Sequence, residues 1–191
     1  MKILFLYNNQ CAIKIYDWLM GLGHDCILWN EHLNPIWCKD NQFDLTISYT
    51  YQYIIKPDVI EALGNNIVNL HTSFLPWNKG CSPNIWSIVE KTPRGVSLHF
   101  IDKEIDEGYL IMQKLDTKTD FSIDTFRTSY DKLDELAFEL FKEAFMYYKY
   151  WNDMRKKIVS KGTYHTEKES NRLIEKIGDY DMVIADYLGE Y

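Results

Sequence analysis

Short apolar runs alternate with amphipathic stretches along the N-terminal part of the chain. Four of them have strand length and are predicted to form buried strands: Lys2–Tyr7, Asp25–Trp29, Phe43–Tyr49 and Ile67–His71. Between the first two, residues 11–21 carry apolar side chains at helical spacing and lead into glycines. This alternation of strands with helices predicts a parallel sheet that is covered on both faces.

The pattern changes after the fourth predicted strand. Residues 72–84 are rich in turn-forming residues and are predicted to be a loop. Val96–Ile101 and Tyr109–Gln113 are predicted to be two more strands. Ser122 is predicted to cap a long amphipathic helix with a core-facing apolar stripe, and Thr166 to begin a capping box for a last helix.

These elements predict a single α/β domain over residues 1–191. We expect an open, mostly parallel, Rossmann-like sheet flanked by helices. Its core should span about residues 1–150, with a C-terminal helical extension over about residues 151–191. A chain of this length can bury a hydrophobic core without support from disulfides.

An excess of acidic residues narrows the classes of partner. The formal net charge is −7, whereas proteins that bind nucleic acid through its phosphates are usually basic. The four cysteines, at positions 11, 26, 38 and 81, form no C-x-x-C pair. With no signal peptide and no apolar run of membrane-spanning length, we expect a cytoplasmic protein that binds neither nucleic acid nor membrane.

Polar side chains that could take part in a reaction lie outside the carboxyl ends of the predicted strands, where open parallel sheets bind their ligands. No glycine-rich dinucleotide loop follows the first predicted strand, which argues against a nicotinamide or flavin cofactor. Asn69 and His71 end the fourth strand on one side, and Asp106 lies in the turn after the next strand. Taken singly, Asn69 could cap a turn, His71 could be a satisfied core histidine and Asp106 could form an Asx turn.

Three linked blocks give these residues a common interpretation. Asn69–Pro76, continued by Gly80, resembles the signature N-h-H-x-S-h-L-P-x-x-x-G of the formyltransferase family, where h is hydrophobic. Gly95–His99 resembles the family's G-V-T/S-h-H strand, and Ile105–Gly108 resembles its h-D-x-G turn. The resemblance is strong over about residues 43–115, and because the blocks occur in the family's order and spacing, it is specific.

The resemblance implies an enzyme that moves a formyl group from N10-formyltetrahydrofolate to a primary amine without a metal. By motif, the catalytic residues are Asn69, His71 and Asp106. The cofactor-binding residues implied are Tyr51, Gln52, Tyr53, Ile54 and Ile55 in the segment similar to the family's pteridine site, and Asp102, Lys103 and Glu104. Family members commonly hold the Leu-Pro bond cis, so Leu75–Pro76 is a candidate for a cis bond.

Formyl transfer needs these residue types. Attack of a neutral amine on the formyl carbon turns the carbonyl oxygen into an oxyanion, which fixed donors stabilise. The Asn69 amide and a His71 ring nitrogen can supply such donors, and a histidine can also assist proton transfer. Asp106 could orient the imidazole, stabilise its cationic form or shuttle protons through water.

Weaker signals favour a nucleotide-linked amino sugar as the acceptor. Trp86 and Gly162–His165 resemble the sugar N-formyltransferases. The substrate-binding residues expected are Trp77, Lys79 and Tyr109. The basic residues that could meet a nucleotide's diphosphate are few and scattered: Lys79, Arg94 and Lys103.

Other functions stay open at this level. The acceptor could be another small amine such as glycinamide ribonucleotide, although the shortened N-terminal half argues against it. A non-catalytic module that binds folate or a nucleotide sugar has no need of Asn69 and His71 together. Hydrolases and methionyl-tRNA enzymes of the family carry additional domains, which we do not expect here. A homodimer is an option for the assembly.

Overall fold

The computed structural model of the chain describes residues 1–189, so the last two residues of the predicted C-terminal extension lie outside the described part. Six strands form the main sheet: β1 Lys2–Leu6, β2 Asp25–Trp29, β3 Leu45–Tyr49, β4 Ile67–His71, β6 Gly95–Phe100 and β7 Leu110–Leu115. Two short strands, β5 Lys79–Gly80 and β8 Tyr164–His165, pair in parallel as a second sheet.

The order of the main sheet is β2-β1-β3-β4-β6-β7. Strands β1 to β4 pair in parallel, β6 is antiparallel to β4, and β7 is antiparallel to β6. All strands except β6 therefore run in the same direction. The predicted fold class, an open and mostly parallel α/β sheet, is confirmed.

The α-helices of the described residues are α1 Ile13–Gly21, α2 Pro35–Asn41, α3 Pro57–Ala62, α4 Pro83–Val89, α5 Phe126–Phe145, α6 Trp151–Met154, α7 Glu167–Ile177 and α8 Ile184–Leu188. Helices α1 and α5 pack on one face of the main sheet, and α2 and α3 pack on the other. Strand β1, which is buried from Ile3 to Leu6, shows how the faces are divided. Ile3 and Phe5 pack in a core cluster with α1 and α5, whereas Leu4 and Leu6 pack with α2 and α3. A strand buried on both faces reads as a continuous apolar run, which is why the sequence predicts it well.

Two helix starts differ from the prediction. Helix α2 lies in a stretch that the polar composition did not predict to be helical, and the Asn34 side chain caps it by accepting from the backbone N–H groups of its first turn. Helix α5 is capped by Thr125 rather than by Ser122. Thr125 and Thr128 exchange side-chain and backbone hydrogen bonds, while the Ser122 hydroxyl bonds to Asp120. The predicted capping box at the start of α7 is confirmed.

Among residues 1–189, no helix is both long enough and apolar enough to cross a membrane. All four cysteines are free thiols.

Candidate active site

A cleft of about 350 Å³ lies beside β3 and β4. The described residues that line it are Ser48, Tyr51–Ile55, Asn69, His71, Gly80, Cys81, His99, Ile101–Asp106, Tyr164 and Glu167. Asn69 and His71 reach it from the same face of β4. Asp106 reaches it from the turn after β6. The sequence-predicted trio is therefore brought together at one place.

Asp106 is the centre of this polar cluster. Its backbone adopts a left-handed φ of 53°, which Asp tolerates better than most residues. Oδ2 accepts the backbone N–H of Gly80 at 2.8 Å and lies 3.6 Å from His71 Nε2. Oδ1 lies 3.4 Å from both Asn69 Nδ2 and His99 Nε2. The carboxylate thus contacts Asn69, His71 and His99, and we call Asp106 and these three residues the base of the cleft.

The surroundings keep Asp106 ionised. Burial by itself acts to raise the pKa of a carboxyl group. Here the opposing influence of His71 and His99, together with the Gly80 N–H, is larger and holds the pKa of Asp106 well below its usual range. Asp106 is therefore a carboxylate at any pH near neutrality.

The orientation of His71 follows from a single hydrogen bond. Nε2 lies 3.1 Å from the backbone carbonyl oxygen of Asn78. Because a carbonyl oxygen can only accept, Nε2 carries a proton. Nδ1 makes no hydrogen bond to the rest of residues 1–189, so it is the ring nitrogen that remains for a ligand.

The C-terminal part of the chain fixes the carbonyl that holds His71. Asn78 is fully buried with a left-handed φ of 54°. Its backbone N–H donates to Thr163 Oγ1 at 2.8 Å, and its side-chain amide donates to Thr92 Oγ1 at 2.7 Å. Gly162 allows this approach, because a Cβ there would lie 1.8 Å from the carbonyl oxygen of Pro76.

The sheet supports the other end of the same loop. The Ser97 hydroxyl donates to the Ser73 carbonyl at 2.7 Å and accepts the Leu75 N–H at 3.1 Å. The Gln113 amide donates to the Leu75 carbonyl at 2.8 Å. The Leu75–Pro76 bond is cis, as the resemblance implied. The loop of residues 72–78, which we call the catalytic loop because it follows the predicted catalytic residues of β4, is thus bonded to the sheet at one end and to the C-terminal segment at the other.

His99 belongs to the same cluster, although the sequence analysis named it only as the end of the Gly95–His99 block and not as a candidate site residue. It is almost fully buried, and Nδ1 donates to the Phe100 carbonyl at 2.9 Å, which leaves Nε2 facing Asn69 and Asp106. The antiparallel register places His99 opposite Asn69, and the β6–β7 register shifts beside it. The available signal was the alternation of Ser97 and His99 on a strand next to Asn69.

The segment predicted to hold the cofactor lines the cleft in full, as do Asp102, Lys103 and Glu104. Loops after β1 and β2 hold this segment in place. Asn8 Oδ1 accepts the Gln52 N–H at 2.9 Å, and the Tyr51 hydroxyl donates to the Glu31 carbonyl at 2.6 Å. Thr50 adopts a left-handed φ of 61°, an unusual conformation for a β-branched residue, and its hydroxyl accepts the Asn9 N–H at 3.1 Å.

The three residues predicted to bind the acceptor lie outside the lining of the cleft. Trp77 is partly buried in the catalytic loop, and Lys79 Nζ pairs with Glu107 Oε1 at 2.6 Å. The Tyr109 ring lies under the Arg155 guanidinium at 5.0 Å. Their roles stay predictions, and other residues near β5 and β8 line the cleft instead.

Cys81, Tyr164 and Glu167 are lining residues that sequence reasoning missed. The resemblance of Gly162–His165 to sugar enzymes was the signal that could have found them. Of the basic residues considered for a diphosphate, Lys103 lines the cleft, whereas Arg94 is buried against Asp116. Within residues 1–189, no group of His, Cys, Asp and Glu side chains is arranged to hold a metal ion.

Known proteins are similar to this chain in sequence and in fold. The family model described as formyl transferase matches residues 37–145, more than half of the chain. A crystal structure of the formyltransferase PseJ from Anoxybacillus kamchatkensis, in complex with UDP-4,6-dideoxy-4-formamido-L-AltNAc and tetrahydrofolate, is similar over 96% of both chains. Its sequence is 33% identical and the TM-score is 0.84.

Similar curated proteins are longer. The dTDP-4-amino-4,6-dideoxyglucose formyltransferase of Mycobacterium tuberculosis is 30% identical over 54% of this chain and 43% of its own length. The methionyl-tRNA formyltransferase of Fusobacterium nucleatum is 27% identical over 71% of this chain and 40% of its own length. The chain therefore spans less than half the length of these curated relatives.

Proposed function

Because the chain belongs to the formyl transferase family, we propose that it moves a formyl group from N10-formyltetrahydrofolate to the primary amine of an amino sugar. The observation that carries this proposal is the convergence of Asn69, His71 and Asp106 at the base of one cleft. An amide, an imidazole and a carboxylate in contact provide the donors and the charge that acyl transfer to an amine requires.

Asn69 and His71 are proposed to stabilise the oxyanion that forms on the transferred formyl group. The contacts of Asn69 Nδ2 with His99 and Asp106 are long, at 3.3 and 3.4 Å, so the amide can donate to a developing negative charge in their place. The free Nδ1 of His71 is suited either to donate, when the ring is cationic, or to receive a proton from the attacking amine.

Asp106 is proposed to stabilise positive charge rather than to store the amine's proton. A general base works best when its pKa lies near the working pH. Because the pKa of Asp106 lies well below its usual range, its proton affinity is low at neutral pH. The ionised carboxylate beside His71 instead favours the cationic imidazole that proton transfer creates.

The residues present fit a folate. The backbone groups of Tyr53, Ile54 and Ile55 make no hydrogen bonds elsewhere in residues 1–189, so they are free to bond the polar edge of a flat heterocycle. The Tyr51 ring adds an aromatic wall, and Asp102–Glu104 line the same part of the cleft. We propose Tyr51–Ile55 and Asp102–Glu104 as the folate-binding residues.

The amino-sugar acceptor is supported by the similarity to PseJ and to the mycobacterial sugar enzyme. A nucleotide link is also proposed, but the cleft itself suits the sugar better than the diphosphate. Its lining carries four carboxylates and one lysine: Asp102, Glu104, Asp106, Glu167 and Lys103. A diphosphate in this surrounding would be repelled, so we place it at the rim, outside the base of the cleft.

The test supplies the purified chain with N10-formyltetrahydrofolate and a panel of amines. We expect an amino sugar, free or nucleotide-linked, to gain the mass of a formyl group in exchange for a hydrogen, with release of tetrahydrofolate. Metal chelators should leave this turnover unchanged. Efficient turnover of glycinamide ribonucleotide alone would contradict the sugar acceptor, and inactivity towards every amine with folate still bound would favour a binding module.

Two further properties stay predictions. A homodimer is tested by light scattering at several protein concentrations. A cytoplasmic location is tested by fractionating the source cells and following the protein with an antibody.

A further inference from the structure

The lining of the cleft falls into groups that come from different parts of the chain. One group is the segment proposed to bind folate, and a second is the catalytic trio with its neighbour His99. A third group comes from the residues next to the paired strands β5 and β8. We call this third group, Cys81, Tyr164 and Glu167, the C-terminal wall.

The C-terminal wall is bonded to the catalytic loop. The Lys79 N–H donates to the Thr163 carbonyl at 3.0 Å, and the Cys81 N–H donates to the His165 carbonyl at 3.0 Å. The His165 ring stacks on Trp86 with 3.8 Å between centroids and contacts Glu90 at 3.3 Å. These contacts fix the wall relative to Gly80, whose backbone N–H donates a hydrogen bond to the Asp106 carboxylate.

The two long side chains of the wall have no partner in the described part of the chain. Tyr164 is 49% exposed, and its hydroxyl makes no hydrogen bond within residues 1–189. The Glu167 carboxylate, in the first turn of α7, likewise makes no hydrogen bond or ion pair with those residues. Both groups line the cleft that holds the catalytic trio, so both can contact a ligand that binds in it.

A phenol ring and a carboxylate form a surface with the chemistry of a sugar-binding site. Aromatic faces pack against the apolar C–H faces of sugars. An ionised carboxylate can only accept, and sugars present hydroxyl donors. The negative charges of Glu167 and Asp106 also attract a protonated amine towards the base of the cleft.

We infer that Tyr164 and Glu167 are the residues that select the acceptor, with the sugar ring packed on Tyr164 and its hydroxyl groups bonded to Glu167. This inference rests on the proposed function, because it assigns the acceptor of that reaction to the C-terminal wall. It moves acceptor recognition from the sequence-predicted Trp77, Lys79 and Tyr109 to the segment that follows residue 162.

The experiment measures both turnover and binding. Glu167→Gln and Tyr164→Ala are compared with the wild-type chain for acceptor KM and kcat, using a nucleotide-linked 4-amino-4,6-dideoxyhexose and N10-formyltetrahydrofolate. Calorimetry without the formyl donor gives the Kd of the same sugar, and a second titration gives the Kd of a 5-formyl folate. Matched controls are Glu175→Gln, on the exposed face of α7, and Tyr147→Ala, which is 48% exposed.

We expect each wall variant to raise the KM and the sugar Kd by about tenfold, with kcat and folate Kd within about twofold of wild type. The control variants should match the wild-type chain in all four constants. Unchanged sugar Kd in both wall variants, in chains whose thermal unfolding matches wild type, would overturn the inference. So would failure of the wild-type chain to bind the sugar.

The binding measurement separates this inference from the proposed function. If the wild-type chain binds the sugar and the wall variants bind it more weakly, the wall is supported whether or not a formyl group is transferred. Binding without transfer by the wild-type chain would contradict the proposed reaction alone.

Discussion

The base of the cleft and the C-terminal wall are built in opposite ways. At the base, the side chains of His71 and Asp106 are each only 9% exposed and are bonded to neighbours from several elements. On the wall, the side chains of Tyr164 and Glu167 are exposed and make no hydrogen bonds within the described chain. The base rests on the main sheet, whereas the wall rests on a sheet of two short strands.

This difference fits the two proposed roles, catalysis at the base and acceptor selection at the wall. Donors that stabilise a transition state act best when their positions are fixed in advance. Burial together with hydrogen bonds or ion contacts fixes a side chain in this way. Residues that select a substrate need free hydrogen-bonding groups that face solvent until the substrate arrives. We therefore expect changes at the base to lower kcat, and changes on the wall to raise KM.

The largest effect should come from the base. Replacing Asn69 or His71 by Ala removes one of the proposed donors to the oxyanion and should cost on the order of 3 kcal/mol or more of transition-state stabilisation. Asp106→Asn should also be severely impaired. Steady-state kinetics and circular dichroism check that turnover is lost while the fold is retained.

Asn171→Ala, at an exposed position of α7, is the control for Asn69→Ala and should keep full activity. If His71→Ala turns over near the wild-type rate, the base of the cleft is not the catalytic site.

A smaller effect is expected where the two regions meet. Gly162 has a φ of 60°, and an added Cβ would lie 1.8 Å from the Pro76 carbonyl oxygen. Gly162→Ala should therefore displace the catalytic loop and the Asn78 carbonyl that holds His71, and lower kcat on the order of tenfold. The measurement is steady-state kinetics beside thermal unfolding.

Gly64→Ala is the control for this variant, because it introduces backbone strain without a steric clash. Gly64 has a similar φ of 67°, but an added Cβ would meet nothing within 4 Å. It should cost about 1 kcal/mol of stability and leave kcat unchanged. Equal activity of the two variants would show that the loop does not depend on the C-terminal segment.

The last effect concerns stability in acid and should appear only at low pH. Because the pKa of Asp106 is lower in the folded chain than its ordinary value of 3.8, its ionisation stabilises the fold above that pH. The stabilisation is lost as the pH falls through the folded-state pKa. Below about pH 4, the free energy of unfolding should therefore fall less in Asp106→Asn than in the wild-type chain, by on the order of 1 to 2 kcal/mol.

Denaturant unfolding from pH 7 to pH 2 measures this difference between the two chains. Wild type and variant will both remain acid-sensitive, because Asp116 and Asp124 also have lowered pKa values. Glu167→Gln should leave the wild-type acid dependence intact, since that carboxylate is exposed and unbonded within residues 1–189. An acid dependence that is identical in Asp106→Asn and wild type would contradict the buried, ionised state of Asp106.

The sequence predicts best the parts of the molecule that depend on local pattern. Fully buried parallel strands read as continuous apolar runs, so the sheet and the positions of Asn69 and His71 at the end of β4 followed directly. The trio itself came from three motif blocks rather than from periodicity. Helix α2 was not predicted, because its amphipathic pattern is short and most of its residues are exposed or only partly buried.

The rest depends on contacts between distant segments. His99 joins the site through the β4–β6 register, and Tyr164 joins it through pairing with Lys79, neither of which is visible in local spacing. Lys79 was a reasonable candidate for a phosphate contact, but the structure pairs it with Glu107. Nearness in sequence to the catalytic blocks was therefore a poor guide to which residues face the cleft.

The pairing of β5 with β8 also fixes when the site can be completed during protein synthesis. Asn78 and Thr163 are 85 residues apart, and the bonds between them cannot form until the later residue has left the ribosome. At typical elongation rates the sheet can form several seconds earlier. During that interval a nascent chain holds Asn69 and His71 in their strand without the contacts that orient the imidazole, so it lacks part of the arrangement that the proposed formyl transfer requires.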